Sequence, residues 1–99
     1  MLKKYLVYHC INETEMFRED AQLWQAADQN YQLVAEVEAA GLAEVFRLTN
    51  HIDYDWTENA GVRLCSNVPV RSTSVGDVIT MDECAWLVKG SGFVQLYPK

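Results

Sequence analysis

The residues of this sequence with the most chemical potential lie in two short segments. His51-Ile52-Asp53-Tyr54-Asp55 places an imidazole and two carboxylates at alternate positions, so on extended backbone all three point the same way. A hard divalent cation accepts such a set. It would need further ligands, and the one other histidine, His9, falls in an apolar run that reads as a core strand. A solvated polar loop is the better account, so neither a metal nor another cofactor is expected.

The second segment is Arg71-Ser72-Thr73-Ser74. Its hydroxyls are potential nucleophiles, but no GxSxG elbow surrounds them and neither histidine stands in any spacing that marks a base. Hydroxyls capping backbone groups in the turn toward Gly76-Asp77 explain them more simply. No catalytic residue is expected. Arg71 beside three hydroxyls also suggests a small anion nest, although no helix start or P-loop lysine follows. Arg63, Arg71, Ser72 and Ser74 are therefore a candidate small-ligand or nucleotide site.

Between these segments sit two large aromatics, Tyr54 and Trp56, in an acidic context. Large aromatics in a polar loop either fold back as core plugs or anchor a partner. With Asp53, Asp55 and Glu58 beside them, they form a candidate surface for a basic protein partner.

The charge distribution supports that emphasis. The chain has 99 residues and a formal charge of −6, from 8 Lys+Arg and 14 Asp+Glu. Residues 1–12 carry Lys3 and Lys4 alone, for +2. Residues 13–58 carry eleven acids (Glu13, Glu15, Glu19, Asp20, Asp28, Glu36, Glu38, Glu44, Asp53, Asp55, Glu58) against Arg18 and Arg47, for −9. Residues 59–99 carry Asp77, Asp82 and Glu83 against Arg63, Arg71, Lys89 and Lys99, for +1. So negative a field repels phosphates and anionic lipid, which argues against direct nucleic-acid binding and against a membrane surface. No run approaches the ~20 apolar residues of a membrane span, and no signal peptide is legible, so the chain reads as cytoplasmic. Cys10, Cys65 and Cys84 form no CxxC pair and read as buried, reduced thiols.

Elements that would position these residues follow from periodicity. Lys4–Ile11 is apolar on both faces of a period-two ladder, which predicts an interior strand. Thr14 caps a helix over Glu15–Asp28, with Met16, Phe17, Leu23, Trp24 and Ala27 on one face and Asp20 falling awkwardly within it. Tyr31–Glu38 alternates with Tyr31, Leu33, Ala35 and Val37 inward and Val34 as an exception. Leu42, Val45, Phe46 and Thr49 define a short amphipathic helix ending at Asn50. Residues 51–76 lack periodicity apart from a candidate short strand at Val62–Cys65. Asp77–Met81, Cys84–Lys89 and Phe93–Tyr97 read as strands joined by tight turns. Trp24 and Trp86 take core-facing positions. Residues 1–99 are thus one domain of the α+β class. It should be a mainly antiparallel sheet with two helices on one face and a C-terminal three-stranded meander. A domain of this size has little stability to spare for a deep internal active site.

Residues 31–97 resemble the YodL-like domain, a family of small proteins encoded by bacteria, plasmids and phages. The likeness runs from the Tyr31–Val37 strand through LAEVFRLTN (42–50), Trp56, Asn59 and Gly61-Val62. It continues with RSTSVGDVI (71–79), its most specific part, and ends on Trp86 and Gly92-Phe93. The resemblance implies a mobile-element accessory protein and carries no catalytic residues with it.

Three functions follow as expectations. The first is a small cytoplasmic, non-enzymatic accessory protein that offers residues 36–58 to a basic protein partner. The second is a ligand-binding module built on the Arg63/Arg71 loop. The third, an enzyme using His51 with Asp53 or Asp55, is disfavoured. A Phe93–Tyr97 strand at a sheet edge would also allow pairing into a homodimer.

Overall fold

The computed structural model describes residues 2–11, 24, 27–50, 55–65 and 71–97. The elements run β1 (Lys3–Cys10), α1 (Ala27–Asn30), β2 (Tyr31–Ala39) and α2 (Leu42–Thr49). A 3₁₀ turn (Trp56–Glu58) then leads to β3 (Val62–Leu64), β4 (Val78–Met81), β5 (Cys84–Lys89) and β6 (Gly92–Tyr97). The class is α+β. All six strands form one sheet in the order β3-β2-β1-β4-β5-β6, and every neighbouring pair is antiparallel. Among the described residues no helix is long and apolar enough to cross a membrane. Thr14, Met16, Phe17, Asp20 and Leu23 of the expected first helix lie outside the described residues.

β1 lies inside the sheet because it can bury both faces. Tyr5 and Val7 join Val37, Ile79, Val88, Val45 and Trp56 in a first apolar cluster. Cys10 joins Tyr31, Val78, Leu87 and Leu96 in a second, with Tyr8 and Trp24 packed against it. Each fully buried valine or isoleucine contributes about 1.5–3 kcal/mol. A one-sided polar strand could not occupy that position.

The Val34 exception marks a β-bulge. Val7 pairs with Ala35 and Tyr8 with Leu33, so Val34 has no residue opposite it. The extra residue shifts the alternation. Tyr31 consequently packs in the second cluster, while Ala35 and Val37 pack in the first, which corrects the expectation that all three share one side.

The helices are also distributed differently from expectation. α2 places Val45 in the first cluster with Leu42, Phe46 and Leu48 against it, and the Phe46 ring meets Phe93 at 6.5 Å. Trp24, helical and ahead of β2, packs on the second face, edge-on to Tyr8 and to Tyr31 at 5.2 Å each. Among the described residues, helical side chains thus meet both faces of the sheet, those of α2 on the first and Trp24 on the second.

The turn into β3 depends on Gly61. Its φ of +85° suits glycine, and an added Cβ would sit 3.1 Å from the Glu38 carbonyl oxygen. That close approach is required, because Glu38 N–H donates to the Gly61 carbonyl at 2.9 Å and joins the turn to β2. Gly61→Ala is expected to destabilise the fold by about 1–2 kcal/mol, the cost of left-handed backbone for an L-residue. A lowered urea midpoint checks this, and an unchanged midpoint would mean the turn relaxes freely.

Candidate functional site

The segment 71–77 closes over one end of β1 and folds around a buried carboxylate. Asp77 is fully buried. Its Oδ1 accepts from the Cys10 backbone N–H at 2.9 Å, and its Oδ2 accepts from the Ser74 N–H at 2.8 Å. Arg71 grips both oxygens, donating to Oδ1 at 2.7 Å and to Oδ2 at 2.6 Å. The same guanidinium donates to the carbonyls of Ser72 and Cys10. Bidentate, charge-assisted contacts of this kind are about twice as strong as neutral hydrogen bonds.

The chain turns sharply enough to do this because Asp77 N–H donates back to the Ser74 carbonyl, and Gly76 takes a φ of +96°. Gly76 N–H and Val88 N–H then join the segment to β5. The Tyr31 hydroxyl donates to the Gly76 carbonyl at 2.8 Å, and burial pushes its pKa well up. Asn50, at the end of α2, donates its side-chain amide to the Thr73 carbonyl, and Trp56 donates its indole N–H to the Arg71 carbonyl at 3.2 Å. A loop read as aperiodic is therefore held by side chains from three other parts of the chain, and by the backbone of β5.

Beneath it lies His9, 4% exposed, whose Nε2 sits 2.9 Å from Thr73 Oγ1 and 3.8 Å from Asp77 Oδ2. Histidine, hydroxyl and carboxylate together resemble the parts of a nucleophilic relay. The arrangement does not work as one. Both partners approach the same ring nitrogen, whereas a relay needs the carboxylate on the opposite one. Thr73 and Asp77 are also completely buried, so no substrate reaches the hydroxyl.

Burial lowers the His9 pKa to about 4; Asp77 opposes that shift and Arg71 assists it. The imidazole is therefore neutral at pH 7, and its 3.8 Å approach to Asp77 is not an ion pair. In the unfolded chain a histidine titrates near 6.5. Between these values the unfolded chain binds a proton that the folded chain refuses, so stability falls as pH falls through the window. The loss should reach about 2 kcal/mol between pH 6.5 and 5, above the range where carboxylates titrate. Urea midpoints at the two pH values measure it, and His9→Gln should flatten the difference. Equal midpoints in the parent protein would contradict the buried neutral imidazole.

The candidate ligand residues take other roles. The anion nest suggested by Arg71 and Ser74 exists, but the chain's own Asp77 carboxylate occupies it. Ser72 is half-buried, with its carbonyl turned to Arg71. Arg63 stands elsewhere, on β3, where Glu36 on the neighbouring strand takes its guanidinium and also meets Lys4 Nζ at 3.0 Å. Different carboxylates hold the two arginines, so the structure does not assemble Arg63, Arg71, Ser72 and Ser74 into one open site.

The candidate partner residues divide as well. Trp56 is 3% exposed and packs in the first core cluster. It sits as a core plug, with its indole enclosed and hydrogen-bonded. Asp55 is exposed and caps the 3₁₀ turn; the Thr57 hydroxyl, and after it the Thr57 N–H at 3.0 Å, donate to its carboxylate and lower its pKa. Glu58 is exposed on the same turn. His51, Asp53 and Tyr54 lie outside the described residues. Among the described residues no group of three His, Cys, Asp or Glu side chains is arranged to hold a metal. None of the three cysteines is in a disulfide; Cys10 is buried, but Cys65 and Cys84 are half-buried, contrary to the expectation for them.

Sequence reasoning passed over His9, Thr73 and Asp77 as a unit. One signal was present. His9 is the single polar residue on the Tyr5-Val7-His9 face of an interior strand, and a buried imidazole needs a partner. Nothing in the sequence said which residue that partner would be.

Fold and polar cluster together define a small antiparallel α+β protein with an internally satisfied ionic clasp. No protein-family model, curated protein or solved structure matches the chain significantly.

Proposed function

We propose that this protein is a small, non-enzymatic accessory protein that binds a basic protein partner through an acidic edge. The observation that carries this reading is the contrast between the clasp and the surface acids. In the clasp, Arg71 and His9 face Asp77, and His9 meets Thr73, so these groups are satisfied by one another. Glu38, Asp55 and Glu58 are instead exposed, with Glu44 half-buried in the first turn of α2. Glu38 is the last residue but one of β2, ahead of α2, and Gly61 ties the turn bearing Asp55 and Glu58 to Glu38. Against these four acids stand two exposed cations, Lys3 opposite Ala39 on β1 and Arg47 in the last turn of α2, so the balance stays negative. Glu36 does not contribute, because Lys4 and Arg63 neutralise it and lower its pKa. Such an edge steers a basic surface into contact, and salt weakens the attraction. A cytoplasmic setting and a mobile-element origin fit this reading, the latter on the resemblance of residues 31–97 to the YodL-like domain.

Capture of basic proteins from a bacterial lysate at low and high salt tests the reading. Capture should be lost at high salt, and also in a Glu38→Lys/Glu58→Lys variant. Absent or salt-insensitive capture would sink it.

A second reading, self-association, is favoured by β6. This strand is an outer strand of the sheet, its sequence GFVQLY carries no charge, and Val94 and Tyr97 are 44% and 59% exposed. Edges without charges or proline invite pairing with another strand. Sedimentation should show a dimer that Val94→Lys converts to monomer; a monomeric parent protein at high concentration would exclude it.

A further inference from the structure

The second face of the sheet carries a hollow that the acidic edge does not include. It is open to solvent, has a volume of about 300 Å³, and is lined by Tyr8, Trp24 and Tyr97 together with Asp82, Glu83 and Cys84. Tyr8 and Trp24 meet edge to face at 72°, and Tyr31 also meets Trp24 edge to face, at 76°. The aromatic wall is thus set before any ligand arrives. The two acids form the tight turn between β4 and β5, held by the Met81–Cys84 pair, with Asp82 at a φ of +53°. Among the described residues no lysine or arginine lines the hollow.

Three aromatic rings and two carboxylates around one opening select for charge. An anion is repelled, and a neutral apolar group gains nothing from the acids. A cation gains from the ring faces and from the carboxylates together, most of all when it is weakly hydrated and planar. A guanidinium meets both conditions, since it stacks on an aromatic ring and offers a fork of donors to a carboxylate. We propose that this hollow receives an arginine side chain of the basic protein partner. The inference rests on the preceding reading only for the source of the cation.

The test uses the full chain, nitrogen-15 labelled, titrated with a capped Gly-Arg-Gly peptide and with its citrulline and lysine counterparts. The Trp24 indole signal, assigned by its loss in Trp24→Phe, should shift saturably with the arginine peptide, less with lysine, and not with citrulline. Tyr97→Ala should weaken binding about two- to fivefold, the range of a surface cation–π contact. Asp82→Asn/Glu83→Gln should flatten the salt dependence. Both variants should fold, because Tyr97 is largely exposed and asparagine tolerates positive φ. Equal shifts with citrulline, tighter binding of lysine, or an unchanged affinity in Tyr97→Ala would overturn the assignment. If a basic protein is captured equally by the parent and by Tyr97→Ala, the acidic edge stands and the hollow does not. A saturable arginine response without capture supports the hollow and counts against the edge.

Discussion

Replacing Asp77 by alanine should lower the melting temperature of this protein by at least about 12 °C. The cost arises less from lost bonds than from what remains behind. Arg71 would keep a half-buried guanidinium with no counter-charge, and the N–H groups of Cys10 and Ser74 would lose their acceptor. Breaking a buried ion pair from one side costs about 3–5 kcal/mol. In a domain of this size each kcal/mol moves the midpoint by about 4–8 °C. Asp77→Asn retains one acceptor oxygen and should lose less. Arg71→Met combined with Asp77→Ala should lose less than the two single changes added together, because the stranded charge is gone. Thermal melts of the four proteins measure the coupling. A melting point for Asp77→Ala within a few degrees of the parent would show that the clasp does not hold residues 71–77 in place.

Trp56→Ala should cost about 3–5 kcal/mol, the usual loss when a buried aromatic leaves a cavity. Trp56 contacts the first core cluster, lies 6.2 Å from the His9 ring between centroids, and donates to the Arg71 carbonyl. Its removal opens the core and loosens the clasp together. Trp56→Phe keeps most of the buried ring and gives up the indole N–H, so about 1 kcal/mol should be lost. Denaturant unfolding separates the two variants. The comparison also separates a plug from an anchor. If Trp56→Phe folds and still captures basic protein as well as the parent, the tryptophan serves the core. If capture is lost while stability is kept, the ring reaches a partner after all.

Much of the scaffold was legible from periodicity. The apolar character of both faces of Tyr5–Cys10 could be satisfied only inside a sheet, and β1 is there. Leu42, Val45, Phe46 and Thr49 could share a face only on a helix, and α2 buries Val45 and Thr49. Val34 broke the alternation of its strand, and the bulge is the reason. Local patterns succeed here because each is decided by neighbours a few residues apart.

The site was not legible in that way. Asp77 lies 67 residues from Cys10, and Thr73 lies 64 from His9, although Arg71 and Asp77 are only 6 apart. Whether Arg71 faces a ligand or a carboxylate of its own chain depends on which turn precedes β4. Whether Trp56 faces solvent or core depends on α2, β1 and the loop above it. The sequence alone determined the class, the interior strand and the net negative charge, because composition and short-range periodicity carry those. Only the tertiary structure decided that the arginine is internally neutralised, that the tryptophan is buried, and that helical residues cover both faces. Those outcomes depend on desolvation and long-range pairing, and a buried charge takes whichever partner the fold brings within reach.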